Sequence, residues 1–157
     1  TNGRPTTFGL KKYLSPENTP YGYTTNTETN AVKFRLGEIL LLYAEAQNEI
    51  VGPDASVYQA LTDIRARVGM PPLPAGLTKD QMRAKIRKER RIELAFEECL
   101  RYYDLKRWRV AGTVLNAVTQ ADGLLPYKFE DKFYTWPLPQ IEIDKSKGIL
   151  LQNPAYQ

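Results

Sequence analysis

The strongest constraint on the fold is the spacing of apolar residues between Val32 and Val68, interrupted by Gly52-Pro53. Leu36, Ile39, Leu40, Tyr43, Ala44 and Gln47 recur at i, i+3, i+4, i+7, i+8 and i+11, the spacing of one face of a helix. Leu41 and Leu42 add apolar surface on its other sides, so this helix is expected to be covered from more than one direction. Gly52-Pro53 stops it, because proline lacks the amide hydrogen that a helix interior needs. Asp54 then stands where a carboxylate N-caps a second helix, with Val57, Leu61, Ile64 and Val68 as its stripe. So short a connection forces the two helices antiparallel.

Downstream, the prolines of MPPLPAG break the chain again, and Thr78-Lys79-Asp80-Gln81 is a capping-box pattern that opens a third helix. The stretch ERRIELAFEECLRYYDLKRW, Glu89 to Trp108, continues that helix. Val110 to Val118 predicts another short one. Residues 1–31, dense in Gly, Pro, Asn and Thr, read as an irregular, loop-rich lead-in, and residues 32–157 as the helical domain. From Ala121 the prolines and rings predict an extended tail laid over helices. The segment 34–68 has the length of a tetratricopeptide unit, but no second copy of it follows. At 157 residues the chain can bury a core without a disulfide, and its single cysteine, Cys99, could not form one within the chain. No apolar run reaches the roughly 18 residues that cross a bilayer as a helix, so any membrane anchor is expected outside this chain.

The absence of histidine bounds the chemistry: without it the commonest general base and metal ligand at neutral pH are missing, and with them triads and most zinc sites. No nucleotide loop or nucleophile–base pair replaces them, so no catalytic residue, metal site or cofactor is expected. The charged helix is the remaining candidate. On a helical wheel Ile92, Ala95, Phe96, Cys99, Leu100 and Tyr103 form one apolar stripe, with Cys99 as a buried small hydrophobe. Beside it Glu89, Glu93 and Glu97 follow at i, i+4, and three like charges in a row repel unless cations stand among them. Arg90, Arg101 and Asp104 are adjacent, with Arg90 to Glu93 and Glu97 to Arg101 as the compensating pairs.

Two carboxylates at i, i+4 could meet the geometry of glycoside hydrolysis, but a general acid needs a raised pKa and neighbouring arginines lower it. The set Glu89, Arg90, Glu93, Glu97, Arg101 and Asp104 is therefore read as a structural ion network. The run RAKIRKERR offers bases for nucleic acid, yet they spread around the helix instead of lining one face, and no nucleic-acid partner is expected. Among the rings, Tyr102, Tyr103 and Trp108 have core or interface spacing, and Trp136 is expected to clamp the tail. Tyr13, Tyr21 and Tyr23, in the loop-rich lead-in, are the candidates for stacking on a ligand.

Four blocks in order, FRLGEILLLYAEAQNE, IRARVGMPPLP, ERRIELAFEE...RYYDLKRW and WPLPQIEID...LLQNPAY, strongly resemble the C-terminal region of the SusD/RagB family of nutrient-binding outer-membrane lipoproteins. The resemblance covers nearly everything from Val32 onward. It implies an all-α architecture of tetratricopeptide-like helix pairs with irregular loops and an extended tail. It also implies a non-catalytic protein at the cell surface that binds an oligosaccharide or similar nutrient beside a SusC-like TonB-dependent transporter. Full members are several times longer and carry a signal peptide and lipid-bearing cysteine, so this chain looks like a C-terminal piece, reaching the outer membrane only through a lipid anchor outside it. Where the family usually has Gly after AFE this chain has Glu98, and Lys145 and Ala155 replace a frequent Asn and Gly.

Two other readings stay open on the residues alone. One is a helical scaffold that binds a partner protein or peptide between its helix pairs. The other, an anion-binding module, predicts affinity that falls steeply with salt.

Overall fold

A computed structural model of the chain describes residues 12, 32–117 and 128–157. The described residues are helical or irregular, with no strand, in keeping with the all-α expectation. They divide into two compact units, one ending at Arg101 and one beginning at Tyr102. Apart from Lys12, the lead-in expected over residues 1–31 lies outside the described residues, and so do Tyr13, Tyr21 and Tyr23.

In the first unit, α1 (Leu36–Val51) and α2 (Ala55–Ala66) form the expected hairpin, and α3 (Lys79–Glu93) packs on α1 as well. Gly52 ends α1 with φ 92°, a left-handed angle that costs glycine nothing, while its amide still donates to Asn48 O at 3.0 Å. The Asp54 carboxylate caps α2 by accepting from the Val57 amide at 3.0 Å, and it also receives Ser56 Oγ at 2.6 Å and Gln47 Nε2 at 2.8 Å. Those three donors hold its pKa down at about 2, with Ser56 and Gln47 acting more strongly than the amide. After α2, Met70 N bonds Arg65 O and Gly69 N bonds Ala66 O, the crossed pair of a Schellman turn with Gly69 as its left-handed residue. The capping box of α3 is complete: Thr78 Oγ1 accepts from Gln81 N at 3.3 Å and Gln81 Oε1 accepts from Thr78 N at 2.9 Å.

The core of this unit is Leu41 and Ala44 from α1, Val57, Ala60, Leu61 and Ile64 from α2, Met82 and Ile86 from α3, and Leu94 just beyond it. On α1 the inward arc is Leu41, Ala44 and Asn48, which corrects the predicted stripe: Leu36, Ile39 and Tyr43 are exposed. Apolar residues surround this helix, so periodicity alone left its inward direction undetermined. Val68, predicted to extend the α2 stripe, lies past the end of that helix and is exposed. Buried Asn48 donates to Lys79 O at 3.1 Å and so ties α1 to the first turn of α3.

The second unit contains most of α4 (Leu100–Arg107), then α5 (Ala111–Asn116) and α6 (Gln140–Lys145). Short 3-10 turns at Asp131–Tyr134 and Pro154–Tyr156 punctuate the otherwise irregular tail. Its small core is Leu105, Ala111 and Phe129, with Phe133 and Tyr134 edge-on to Phe129 at 5.8 and 4.9 Å between centroids. The Asn116 side chain reads both backbone groups of Phe129, accepting its N–H at 2.7 Å and donating to its carbonyl at 3.1 Å. Gly112 packs close beneath that ring, which a β-carbon there would meet at 3.7 Å.

Candidate functional site

The charged stretch is not one continuous helix. α3 ends at Glu93, and Phe96, Glu98 and Cys99 adopt φ of 65°, 39° and 58° before α4 begins at Leu100. The apolar stripe drawn through this segment is therefore redistributed: Leu94 turns into the core, while Ile92, Phe96, Cys99 and Tyr103 are exposed. Cys99 is thus not the buried hydrophobe its spacing implied, because the left-handed turn breaks the periodicity that placed it inside.

The turn brings the acids to cations from distant segments. Arg35, the residue before α1, donates through Nε to both Glu97 oxygens at 3.1 Å and through Nη2 to Glu97 Oε1 at 2.8 Å. Its Nη1 reaches Glu93 Oε1 at 2.6 Å and its Nη2 also reaches Glu93 O at 2.8 Å. Lys12 pairs with Glu97 and donates to the carbonyls of Glu93 at 2.8 Å and Ala95 at 3.0 Å. Arg67 completes the shell of Glu93 at 2.8 and 2.9 Å, and Arg65 pairs with Glu89. Of the remaining residues assigned to the network, Arg90 is buried on α3, and Arg101 lies at the start of α4. Asp104 belongs to the second unit, where Arg107 Nε donates to it at 2.9 Å.

These contacts decide what the acids can do. Burial pushes the Glu97 carboxyl up, but the hydrogen bonds from Arg35 and Lys12 outweigh it and hold the group below the ordinary carboxylate range. Arg35 is correspondingly held even more firmly protonated than usual, Glu97 being the main cause. A general acid requires the opposite shift, and a nucleophile or base requires a free oxygen facing a cleft. Glu97 has neither: its carboxyl is buried and taken up by Arg35 and Lys12.

A different surface has the character of a binding site. Trp136, expected from its place among prolines to clamp the tail, is instead 62% exposed. The tail clamps it. Gln152 accepts from Leu138 N at 2.8 Å and donates to Leu138 O at 2.9 Å, and Asn153 donates to Trp136 O. The Tyr156 hydroxyl donates toward Lys132 O at 3.1 Å and Thr135 O at 3.2 Å. Pro137 and Pro139 fix the backbone between these anchors, so the indole projects from a pinned segment. Lys106 Nζ lies over the Trp136 ring at 4.6 Å from its centre and over the Tyr102 ring at 5.3 Å.

Comparison with known proteins places this geometry in context. The profile of the SusD family matches residues 1–156. SusD-like protein P2 of Formosa agariphila is 37% identical over 139 residues, covering 83% of this chain and 26% of its own length. SusD-like protein P25 of the same organism is 36% identical over 107 residues, covering 66% of this chain and 19% of its own. Among solved structures, a SusD homolog from Bacteroides thetaiotaomicron superposes with a TM-score of 0.66 at 34% identity, over 82% of this chain and 27% of that one. Surface glycan-binding protein A from Bacteroides thetaiotaomicron superposes with a TM-score of 0.63 at 30% identity, over 83% and 26%. The chain thus spans about a quarter of the length of these two structures and of P2.

Proposed function

The chain belongs to the SusD family, and from that premise we propose that it forms part of a cell-surface protein that binds glycans without cleaving them. The observation that carries this reading is its likeness, over 83% of its length, to a surface glycan-binding protein. The chemistry of the residues supports it. The clustered carboxylates of the first unit are taken up by arginine and lysine, while a rigidly held indole is presented to solvent.

On this reading the bound glycan passes to a SusC-like TonB-dependent transporter, and a lipid anchor holds the intact protein at the outer membrane. No helix among the described residues is long and apolar enough to cross a membrane. The test is a panel of soluble oligosaccharides titrated into the intact protein, with the sugars recovered and sized afterwards, and affinity capture of the transporter from detergent extracts. Saturable binding with unchanged sugars and co-capture of the transporter are expected. Shortened sugars would overturn the non-catalytic reading, and absence of binding across the panel would overturn the glycan reading itself.

A further inference from the structure

Trp136 and Lys106 combine an exposed ring with a cation that has no carboxylate partner among the described residues; Arg109, over the Tyr134 ring at 4.6 Å, is also without one, but Tyr134 is half-buried. Arg107 is paired with Asp104, Lys132 with Glu130 at 3.0 Å and Lys145 with Glu142 at 3.1 Å. Lys106 has no such carboxylate among the described residues. Its ammonium is held by the faces of two rings, Tyr102 one turn earlier on α4 and Trp136 on the clamped segment. Burial alone moves its pKa, downward, with no opposing pull from an acid. A half-buried ammonium with no carboxylate partner among the described residues thus stands beside a mostly exposed indole.

An acidic sugar fits both. One face of a pyranose ring is lined by C–H groups and packs flat on an indole, while a carboxylate or sulfate substituent at the ring's rim accepts charge-assisted hydrogen bonds from an ammonium. The scaffold suits this task because a stacking contact gains most when its ring is already immobile. Gln152, Asn153 and Tyr156 hold the backbone around Trp136, and Lys106 Nζ lies over its ring at 4.6 Å.

We infer that Trp136 and Lys106 form a subsite for a negatively charged sugar residue, the indole stacking on the pyranose and the ammonium binding its carboxylate or sulfate. This rests on the glycan-binding reading above and adds to it a location and a charge. Trp136 and Lys106 are the contact residues; Tyr102 is a positioning residue that keeps the ammonium in place.

The test is calorimetric titration of the intact protein with three probes of matched length: oligogalacturonate, a sulfated carrageenan oligosaccharide and an uncharged cello-oligosaccharide. At least one acidic probe is expected to bind more tightly than the neutral one. Trp136→Ala should weaken that binding by about tenfold or more, and Lys106→Met by about tenfold, as expected for loss of one charge-assisted contact. Lys106→Arg and Trp136→Phe should retain most of it, which separates loss of contact from loss of folding, and the neutral probe should be indifferent to Lys106→Met. The assignment is overturned if only the neutral probe binds, or if an acidic probe binds unchanged to W136A and K106M. Either result leaves glycan binding standing at another place. If none of the three probes binds, the subsite fails, and it is the wider panel above that decides the glycan reading.

Discussion

Replacing Arg35 with methionine keeps the volume of the aliphatic stem and deletes the guanidinium that serves two carboxylates. Arg35 is 28% exposed, Glu93 11% and Glu97 5%, so the pairs are mostly removed from water. Stripping one partner from a buried pair costs about 3–5 kcal/mol, because the other charge is left without compensation. Here Arg67 still reaches Glu93 and Lys12 still reaches Glu97, which lowers the expected loss to about 2–4 kcal/mol. Urea unfolding followed by circular dichroism measures it. Adding Glu97→Gln removes the stranded charge, so R35M/E97Q should lose about 1–2 kcal/mol less than the two single variants summed. The pH dependence has a definite sign. Glu97 titrates below the ordinary 4.5 in the folded chain, so its contribution is complete above that pH and is lost as pH falls through its folded value. R35M should therefore flatten the acid limb of the stability profile. An R35M protein within about 0.5 kcal/mol of wild type would mean that the cluster is ordinary solvated surface, and the argument against a catalytic role for these acids would lose its footing.

Three further outcomes are expected. Gly37→Ala should destabilise although it lies within α1, because the new β-carbon would sit 2.7 Å from Arg35 Nη1; in the R35M background, where Glu93 Oε1 at 3.3 Å is the close neighbour that remains, the same change should cost less, as unfolding midpoints would show. Cys99→Gly should stabilise by about 0.5–1 kcal/mol by relieving a side chain at φ 58°, whereas Cys99→Ala, which keeps the β-carbon, should not; equal midpoints for the two would refute the strain. Asp54→Ala should lower the unfolding midpoint and Asp54→Asn should largely restore it, with the Asp54 contribution present above pH 3.8 and lost toward pH 2; loss of the same size in both variants would show that the cap is not what the carboxylate provides.

Element ends were legible in the sequence wherever a local chemical group makes them. Gly52, Asp54 and the Thr78–Gln81 box are decided by backbone angles and hydrogen bonds within a few residues, and each stands where its residue type requires. The neutralisation of the acid row was legible in kind, since like charges at that spacing demand cations. Their source was not: Arg35 reaches Glu97 across 62 positions and Arg65 reaches Glu89 across 24, separations that carry no periodic signal. Trp136 was misassigned for a related reason. Proline-flanked rings usually pack inward, and only the three-dimensional neighbourhood shows Gln152 and Asn153 occupying the backbone groups that make outward display possible.

The break at Leu94–Cys99 ties these observations together. Ala95, Glu97 and Glu98 are good helix formers, and nothing local stops α3 there. Three non-glycine residues in left-handed backbone cost about 1–2 kcal/mol each, so a comparable stabilisation must come from elsewhere. The structure supplies it at the same place: Leu94 is buried, Lys12 satisfies the carbonyls of Glu93 and Ala95 that the terminated helix leaves open, and Arg35 grips Glu97 at the centre of the turn. Opposite charges concentrated in this stretch thus act as a clasp that forces a turn where helix propensity opposes one. A clasp of this kind takes up the carboxylates of Glu93 and Glu97 in holding the turn.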